Sequence, residues 1–420
     1  MPEFLTLLPP AEALKILLEH LRSSPVPEII PATEALGRVT AAPIIAAQPV
    51  PAFARSAVDG YALRAADTYG ASEGLPAYMS LVGEILMGKA ASFKLLPGQC
   101  ALIHTGGMIP AGADAVVMLE YTQLARDLTR EGELVSRPGE VEILRPAAVG
   151  ENVIEPGEDL RRGQEAIPAG TRLRPAEIGG LMALGISQVT VARKPRVAIL
   201  SSGDEVVPPD HEPGPGQVRD VNAYTLSALV IEAGGEPVSY GIVPDQPEAL
   251  FYAARQALEA NDCLVITAGS SASTRDLTAQ TIQKLGSPGV LVHGVNVRPG
   301  KPTILGATPK PAIGLPGNPV SALVIAVLFL VPVIDALLGV RRSRPRPSIQ
   351  ARLSLNLASQ AGREDWVPVR LEPSPDGPLA APVFGKSNLI FTLARADGLV
   401  RIPPDATGLE AGMPVQVTIL

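Results

Sequence analysis

Acids, glycines and a serine that could bind phosphate and a metal ion follow short apolar runs in the second half of the chain. Two such runs, 197–200 and 263–267, lead into Gly203, Asp204, Glu205, Gly269, Ser271 and Asp276. Glycine-rich turns that enter helices expose backbone N–H groups to an anion. Carboxylate oxygens beside phosphate oxygens are ligands that Mg²⁺ prefers. These segments therefore predict a phosphate site with a magnesium ion.

Two further apolar runs lead into charged or proline-containing loops. The run 290–295 continues into Arg298 and Lys301, and the run 312–315 continues into LPGNPVSA. Each feature alone has an ordinary explanation: a glycine can form a tight turn, Asp276 can cap the helix that it opens, and the two cations can be surface charges. Four such loops at equivalent strand ends favour one anion site instead.

The elements that must position these loops alternate between strands and helices from residue 193 to residue 340. Strands are predicted at 197–200, 237–242, 263–267, 290–295 and 312–315, and helices at 222–232, 247–259 and 276–285. Two further helices are predicted earlier in the chain, at 10–21 and 175–184. Short, continuously apolar runs are typical of strands buried on both faces of a parallel sheet. We expect a doubly wound, mostly parallel sheet with the site at the carboxyl ends of its strands.

The remaining segments predict three smaller parts of this α/β multidomain chain. Residues 51–150 show short alternating runs broken by glycine and proline, which indicates an inserted β-rich domain. Residues 1–50 and 151–192 are largely irregular and are expected to pack together around that insertion. Residues 341–420 show only short strands and turns, which favours a small β barrel or sandwich.

The segment 319–340 is apolar enough to raise the question of a membrane span. Its uninterrupted apolar stretch ends at Asp335, is shorter than the ~20 residues that a bilayer core requires, and contains Pro332. Asn318 followed by Pro319 is a start signal of helices in soluble proteins. We therefore expect a buried core helix and no membrane span.

The composition disfavours several classes of protein. The apolar fraction of 46% and the charged fraction of 18% are typical of a folded globular chain. A net charge of −7 and an aromatic content of 4% offer little attraction for phosphate backbones and few rings for base stacking, so no nucleic-acid partner is expected. Two distant cysteines, Cys100 and Cys263, and an N-terminus without a basic start or an apolar run predict a cytoplasmic protein.

Two segments of the β-rich region combine glycine with an acid or a threonine. RSAVDGYAL contains Asp59, and HTGGMIPAGADAVV contains Thr105 followed by two glycines. Both can be plain β-turns, and the second can also expose backbone donors to an oxyanion. The four histidines lack metal-ligand spacing, and no nucleophile elbow, Walker loop or zinc signature is present. Acyl transfer and ordinary nucleoside-triphosphate chemistry are therefore disfavoured.

Six ordered motifs resemble those of the molybdopterin molybdenumtransferases, the family that includes the C-terminal domain of gephyrin. They are RSAVDGYAL, TGGMIPAGADAVV, GENVIEPGEDLRRG, LSSGDEVV, RPGKP and GLPGNPVSA, and they span nearly the whole chain. The resemblance implies insertion of molybdate into adenylylated molybdopterin, with magnesium-dependent cleavage of the adenylate and release of AMP. It also implies a homodimer, with an irregular, elongated dimerisation domain at residues 1–50 and 151–192 and a site shared between subunits.

The same resemblance implies roles for individual residues. The catalytic residues would be Asp59, Thr105, Glu205 and Asp276, of which the first two would be supplied across the dimer. The acids at the metal would be Glu205, Asp245 and Asp276. The substrate-binding residues would be Gly203, Gly269, Ser271, Arg298, Lys301, Pro316, Pro319, Ser387 and Asp159. Pro316 and Pro319 would border the molybdate pocket, with Ser387 nearby.

The chain departs from the family pattern at three places. Residues 267–273, TAGSSAS, keep one glycine and the central serine of the family's Ser-Gly-Gly-x-Ser-x-Gly loop. Pro368 stands where an arginine is expected after the aromatic of GREDWVPVR, which leaves Arg363 and Arg370 as the nearest cations. Arg298 replaces a lysine, and either cation can hold a phosphate.

Two rival functions stay open at this point. The first is a molybdopterin adenylyltransferase, which would consume ATP and accumulate the adenylate. The second is a binding or scaffold protein of the same fold, which would bind the pterin without turnover.

Asp276→Asn is expected to reduce AMP release strongly and to leave the fold intact. The amide removes the negative charge that would hold a metal ion at the diphosphate. Chromatographic measurement of AMP, with circular dichroism as the check on folding, tests this. Wild-type turnover in the variant would remove Asp276 from the mechanism.

Overall fold

The structure, a computed structural model, describes residues 7–21, 24–128, 134–268, 272–341 and 346–420, without the side chains of residues 126–128, 134–138 and 272–276. It divides into two compact units. The sheet-and-barrel unit consists of Met1–Ala42, Ala169–Pro175 and Gln188–Leu420, and the β-rich unit of Pro43–Pro168 and Ala176–Ser187. The four domains predicted from the sequence are a finer division, and their boundaries stay a prediction.

The helices are α1 (Pro10–Glu19), α2 (Pro175–Ala183), α3 (Asn222–Ala233), α4 (Pro247–Ala260), α5 (Ala272–Leu285), α6 (Pro319–Ile325), α7 (Val331–Leu337) and α8 (Phe391–Ala394). The first strands are β1 (Pro27–Pro31), β2 (Ile44–Ile45), β3 (Arg55–Ser56), β4 (Gly60–Leu63), β5 (Ala77–Ile85), β6 (Gln99–Ile103), β7 (Ala115–Met118), β8 (Thr122–Leu128), β9 (Leu134–Ile143), β10 (Val153–Ile154), β11 (Glu165–Ile167) and β12 (Gln188–Ala192).

The central strands are β13 (Arg196–Ser202), β14 (Val206–Val207), β15 (Val218–Arg219), β16 (Glu236–Val243), β17 (Cys263–Ala268), β18 (Gly289–His293), β19 (Val297–Arg298), β20 (Ile304–Thr308) and β21 (Lys310–Pro316). The last strands are β22 (Ser348–Leu353), β23 (Leu357–Ala358), β24 (Glu364–Glu372), β25 (Leu379–Pro382), β26 (Gly398–Ile402), β27 (Gly408–Leu409) and β28 (Pro414–Ile419).

A six-stranded sheet with the order β16-β13-β17-β21-β20-β18 lies in the sheet-and-barrel unit. The first four strands are parallel neighbours, and β20 runs antiparallel to both β21 and β18. The predicted doubly wound, mostly parallel sheet is confirmed. Strand β20 was not predicted, because its short apolar run is interrupted by Gly306, a residue that weakens strands.

The apolar strands of this sheet are buried on both faces, as their sequences predict. In β13, Val197 and Ile199 belong to a core that also contains residues of α1, α3, α6 and α7. Ala198 and Leu200, which point to the opposite face, belong to a second core with residues of α4 and α5. This alternation explains why the strand is apolar at every position from 197 to 200, since each face is covered by helices.

The apolar segment after residue 318 forms α6, a π-helical turn (Ala326–Leu330) and α7. Among the described residues it is the one helix long and apolar enough to cross a membrane, with a mean hydropathy of 2.6, but 67% of that window is buried inside the protein. Phe329 and Ile334 are fully buried in the core. The expected core helix is confirmed. The π turn ends at Leu330, one turn or less before Pro332, which has no N–H to donate to a carbonyl of the preceding turn.

The C-terminal strands form the predicted barrel. Strands β24, β25, β22, β28 and β26 are neighbours in that order, and β24 also pairs with β26, which closes the barrel. Strand β19 pairs with β24 and brings Arg298 beside Asp365. The barrel therefore contacts the loop that follows β18.

The β-rich unit contains a six-stranded sheet with the order β7-β4-β6-β5-β9-β8. Its core includes Tyr61, Leu63, Met79, Cys100 and Val117. Strand β2 pairs with β11, and β3 pairs with β10. Segments that come before and after this sheet in the sequence therefore pair with each other. The predicted β-rich region is confirmed.

Candidate functional site

Two hydroxyls at the carboxyl end of β13 hold two carboxylates. Ser201 Oγ donates to Asp220 Oδ2 at 2.6 Å, and Ser202 Oγ donates to Asp245 Oδ1 at 2.6 Å. Thr267 Oγ1, at the end of the neighbouring strand β17, donates to Ser201 Oγ at 3.2 Å. The three hydroxyl residues and Asp220 are buried. The strand ends thus fix the positions of two acids at this edge of the sheet.

We call the cavity at these strand ends the acidic cavity. It measures about 520 Å³ and is lined by two acids, Glu205 and Asp220, by one cation, Arg219, and by the hydroxyl residues Ser201, Ser202 and Thr267. Gly203 has a φ of 151°, and a Cβ at this position would lie 2.7 Å from Glu205 Oε2. Only glycine therefore allows the Glu205 carboxylate to fold back over the turn.

A second cavity, which we call the basic cavity, lies between the RPGKP loop and the barrel. It measures about 1030 Å³ and is lined by four cations and one acid: Arg298, Lys301, Arg363, Lys386 and Asp365. Arg363 forms a bidentate pair with the buried Asp365, at 2.7 and 3.1 Å, and Arg298 Nη1 lies 3.8 Å from the same carboxylate. Within the described residues, neither Lys301 nor Lys386 makes an ion pair. The cavity therefore carries excess positive charge, which favours an oxyanion.

The two cavities adjoin at Asn318 and Asn388, which line both. Asn318 Nδ2 donates to Ser387 Oγ at 3.0 Å, and the backbone N–H of Val320 donates to Ser387 O at 3.0 Å. Asn318 occupies the position before α6, with Pro319 next, as the sequence predicts. Its side chain does not cap α6 but bonds the barrel loop instead.

The structure distributes the predicted site residues between these cavities. Glu205 and Pro319 line the acidic cavity, with Gly203 beneath Glu205, and Arg298, Lys301 and Ser387 line the basic one. Pro316 is buried at the end of β21 and is not among the residues that line either cavity. Gly269 and Ser271 lie outside the described residues.

Asp276 lies in α5, but its side chain is outside those that the structure describes. Helix α5 begins at Ala272, four residues earlier than predicted. The alternative in which Asp276 caps this helix is therefore wrong, because a cap precedes the first helical residue.

In the β-rich unit, the structure brings the two predicted catalytic residues into contact. The backbone N–H of Thr105 donates to Asp59 Oδ1 at 2.8 Å, and its hydroxyl donates to the same oxygen at 3.3 Å. His104 lies between two acids, with Nε2 2.9 Å from Glu84 Oε1 and Nδ1 3.8 Å from Asp59 Oδ1. Asp159 is exposed in the same unit, and its N–H donates to Val50 O.

Sequence reasoning missed Asp220, Asp365 and Asn388. Asp220 precedes α3, and its Oδ1 accepts a hydrogen bond from Ala223 N at 3.0 Å, so a signal existed in the acid-x-Asn start of that helix. The roles of Asp365 and Asn388 depend on contacts between the barrel and the sheet domain. No local pattern reports such contacts.

The cysteines do not take part in either cavity. Cys100 and Cys263 are both buried. Burial raises the pKa of the Cys100 thiol to about 12 and raises the pKa of the Cys263 thiol as well, because a thiolate would be desolvated. Both stay protonated at neutral pH and are poor nucleophiles.

Comparison with known proteins identifies the family. Sequence models match the MoeA N-terminal region (domain I and II) at residues 8–185, a probable molybdopterin binding domain at 198–336 and the MoeA C-terminal region (domain IV) at 350–420. A molybdopterin molybdenumtransferase of Nostoc sp. is 35% identical over 96% of this chain and 90% of its own length. The chain belongs to the molybdopterin molybdenumtransferase family.

Other members of the molybdopterin molybdenumtransferase family are similar to this chain over nearly its whole length. The Bacillus subtilis enzyme of that name is 32% identical and covers 100% of this chain and 96% of its own. The solved structure of a molybdopterin biosynthesis MoeA protein from Pyrococcus horikoshii OT3 matches with a TM-score of 0.84 and 30% identity, covering 99% of this chain and 100% of that one. A second Pyrococcus MoeA structure matches with a TM-score of 0.78 and 37% identity, covering 99% of both chains.

Asp220→Asn is expected to lower the free energy of unfolding by about 1–3 kcal/mol, because the amide cannot accept from both Ser201 Oγ and Ala223 N without leaving one buried donor unpaired. Urea denaturation measures the change. Asp376→Asn, at an exposed aspartate, is the matched control and should change the value by at most about 0.5 kcal/mol. Equal stabilities of the two variants would show that the Asp220 hydrogen bonds are not structural.

Proposed function

We propose that this protein is a molybdopterin molybdenumtransferase, which inserts molybdate into adenylylated molybdopterin and releases AMP. One observation carries the proposal: an acidic cavity at the carboxyl edge of the sheet adjoins a larger basic cavity at Asn318 and Asn388. The oxyanion that reacts needs the cations of the basic cavity. The diphosphate of the substrate needs the acids of the acidic cavity, because these would hold a magnesium ion against it. The names of the relatives support the transfer of molybdenum to molybdopterin.

The basic cavity suits molybdate and the pterin-side phosphate of the diphosphate. Lys301 and Lys386 supply point charges, and the guanidinium of Arg298 supplies a planar set of donors. Arg363 is engaged by Asp365, so its charge is partly neutralised. Pro368, which replaces the arginine expected from the family, also lines this cavity, so the anion would depend on the other cations.

The acidic cavity has the donors that a magnesium ion prefers. Carboxylate and hydroxyl oxygens of Glu205, Ser202 and Asp220 line it, and Asp245 accepts from Ser202. Among the described residues, no group of three acidic, histidine or cysteine side chains is close enough to hold a metal ion. Glu205 and Asp245 would therefore complete their set with Asp276. When bound, magnesium would supply positive charge at the diphosphate.

The chain's own groups would bind and orient the reactants. Cations of the basic cavity would hold molybdate near the pterin sulfurs, which belong to the substrate. The amides of the turn after β13 would face the diphosphate, where charge develops as an oxygen of water or molybdate bonds to phosphorus, the P–O bond breaks and AMP leaves. Asn318 would separate the two anions because it stands between the cavities.

The remaining parts of the proposal rest on the family resemblance. They are homodimer formation, supply of Asp59 and Thr105 by the partner subunit, and a cytoplasmic location. The contact between Asp59 and Thr105 supports a joint role, since one carboxylate oxygen accepts both hydrogen bonds of Thr105.

The proposal is tested by supplying the purified protein with adenylylated molybdopterin, molybdate and Mg²⁺. We expect release of AMP that depends on molybdate, together with cofactor that activates a molybdenum-free apoenzyme. Consumption of ATP with accumulation of the adenylate would indicate an adenylyltransferase instead. Binding of the pterin without turnover would indicate a carrier or scaffold.

Arg298→Ala is expected to raise the molybdate concentration for half-maximal AMP release by about fivefold to tenfold, because it removes an exposed cation from the basic cavity. Arg298→Lys should stay within about twofold, since it keeps the charge. Lys15→Ala is the control, because Lys15 is an exposed cation of α1 paired with Glu19. The same molybdate dependence in all three variants would contradict the assignment of this cavity to molybdate.

A further inference from the structure

An exposed aromatic ring lies on the wall of the basic cavity. The side chain of Phe384 is 68% exposed, and among the described residues only Phe384 and Trp366 are aromatic residues that line this cavity. Single exposed apolar residues are ordinary on a protein surface, but this ring lies on the wall of a cavity, where a ligand can cover it. The ring shares this cavity with Arg298, Lys301 and Lys386, and the cavity is otherwise suited to anions.

The loop that carries Phe384 is held on both sides. The N–H of Val383 donates to Pro368 O at 2.8 Å, and Ser387 accepts from Asn318 and Val320. Gly385 lies so close to Thr392 that a Cβ would collide with the threonine hydroxyl. The ring is therefore presented by a backbone that is fixed before any ligand binds, which lowers the entropic cost of recognition.

We infer that Phe384 stacks on a planar heteroaromatic ring of the substrate while the neighbouring cations hold its phosphate. The inference rests on the proposed function, whose substrate has two such rings, the pterin and the adenine. Stacking of a base on an aromatic side chain contributes binding without requiring a particular hydrogen-bond pattern. A cavity of about 1030 Å³ is large enough for a ring and its phosphate together.

The start of α8 offers a matched control. Phe391 is also 68% exposed, but it opens α8 and is not among the residues that line the basic cavity. Phe384→Ala and Phe391→Ala therefore remove the same side chain at the same exposure. Phe384 lines the cavity of the proposed ligand, and Phe391 does not.

Binding constants for three probes separate the ring from the phosphate. AMP carries adenine, 6-hydroxymethylpterin phosphate carries the pterin, and ribose 5-phosphate carries neither ring. We expect Phe384→Ala to weaken one of the first two by about tenfold, and the affected probe identifies the ring. Binding of ribose 5-phosphate should not change. Phe384→Trp should bind like the wild type, and so should Phe391→Ala.

Turnover gives a second readout. Phe384→Ala should raise KM for adenylylated molybdopterin and leave kcat within about twofold, because stacking binds the substrate and the transition state equally. A general structural defect would instead lower kcat and would also appear in Phe391→Ala.

Several results would overturn the inference. Phe384→Ala could bind both ring probes as tightly as the wild type, or could lose as much affinity for ribose 5-phosphate as for the ring probes. Phe384→Ala and Phe391→Ala could weaken binding equally. The wild-type protein could bind neither ring probe more tightly than ribose 5-phosphate. Failure of the proposed function looks different, since it would show as absent AMP release from the wild type whatever the probes do.

Discussion

The hydrogen bonds between the start of α6 and Ser387 fix the relation between the two cavities. Helix α6 leaves the carboxyl edge of the sheet, and Ser387 belongs to a loop of the barrel. The first N–H groups of a helix have no partner within it, and Ser387 satisfies one of them through Val320. Asn318, one residue before the helix, bonds the serine hydroxyl. Because Asn318 borders both cavities, this joint sets an acidic surface beside a basic one.

The charges of the two surfaces stay separate because each buried acid has its own partners. Asp220 accepts from Ser201 and from the start of α3, and Asp365 is paired with Arg363. Neither acid is therefore available to neutralise Lys301 or Lys386. An isolated carboxylate in these positions would be strongly destabilising, so the hydrogen bonds preserve both the fold and the charge pattern. Such a pattern suits a ligand that would bind a metal ion at one end and protein cations at the other.

The sequence was sufficient for the elements with strong periodicity. Strands β13 and β17 contain the continuous apolar runs 197–200 and 263–266 because helices cover both faces. The core helix could be separated from a membrane span by Asp335 and Pro332. Strand β20 was missed because its short run contains Gly306. The site was predicted as a set of strand ends, but its division into two cavities was not. That division depends on Asn318, Ser387 and Asp365, which are far apart in the chain and meet only through packing of the barrel.

The central claim is that the cavity between the RPGKP loop and the barrel is where the oxyanion binds. Crystals of the full chain soaked in molybdate can be measured at the molybdenum absorption edge, where the anomalous signal locates the metal without reference to a model of the ligand. The account predicts a peak within hydrogen-bond reach of Lys301 and Ser387. A peak elsewhere, with none in this cavity, would contradict it.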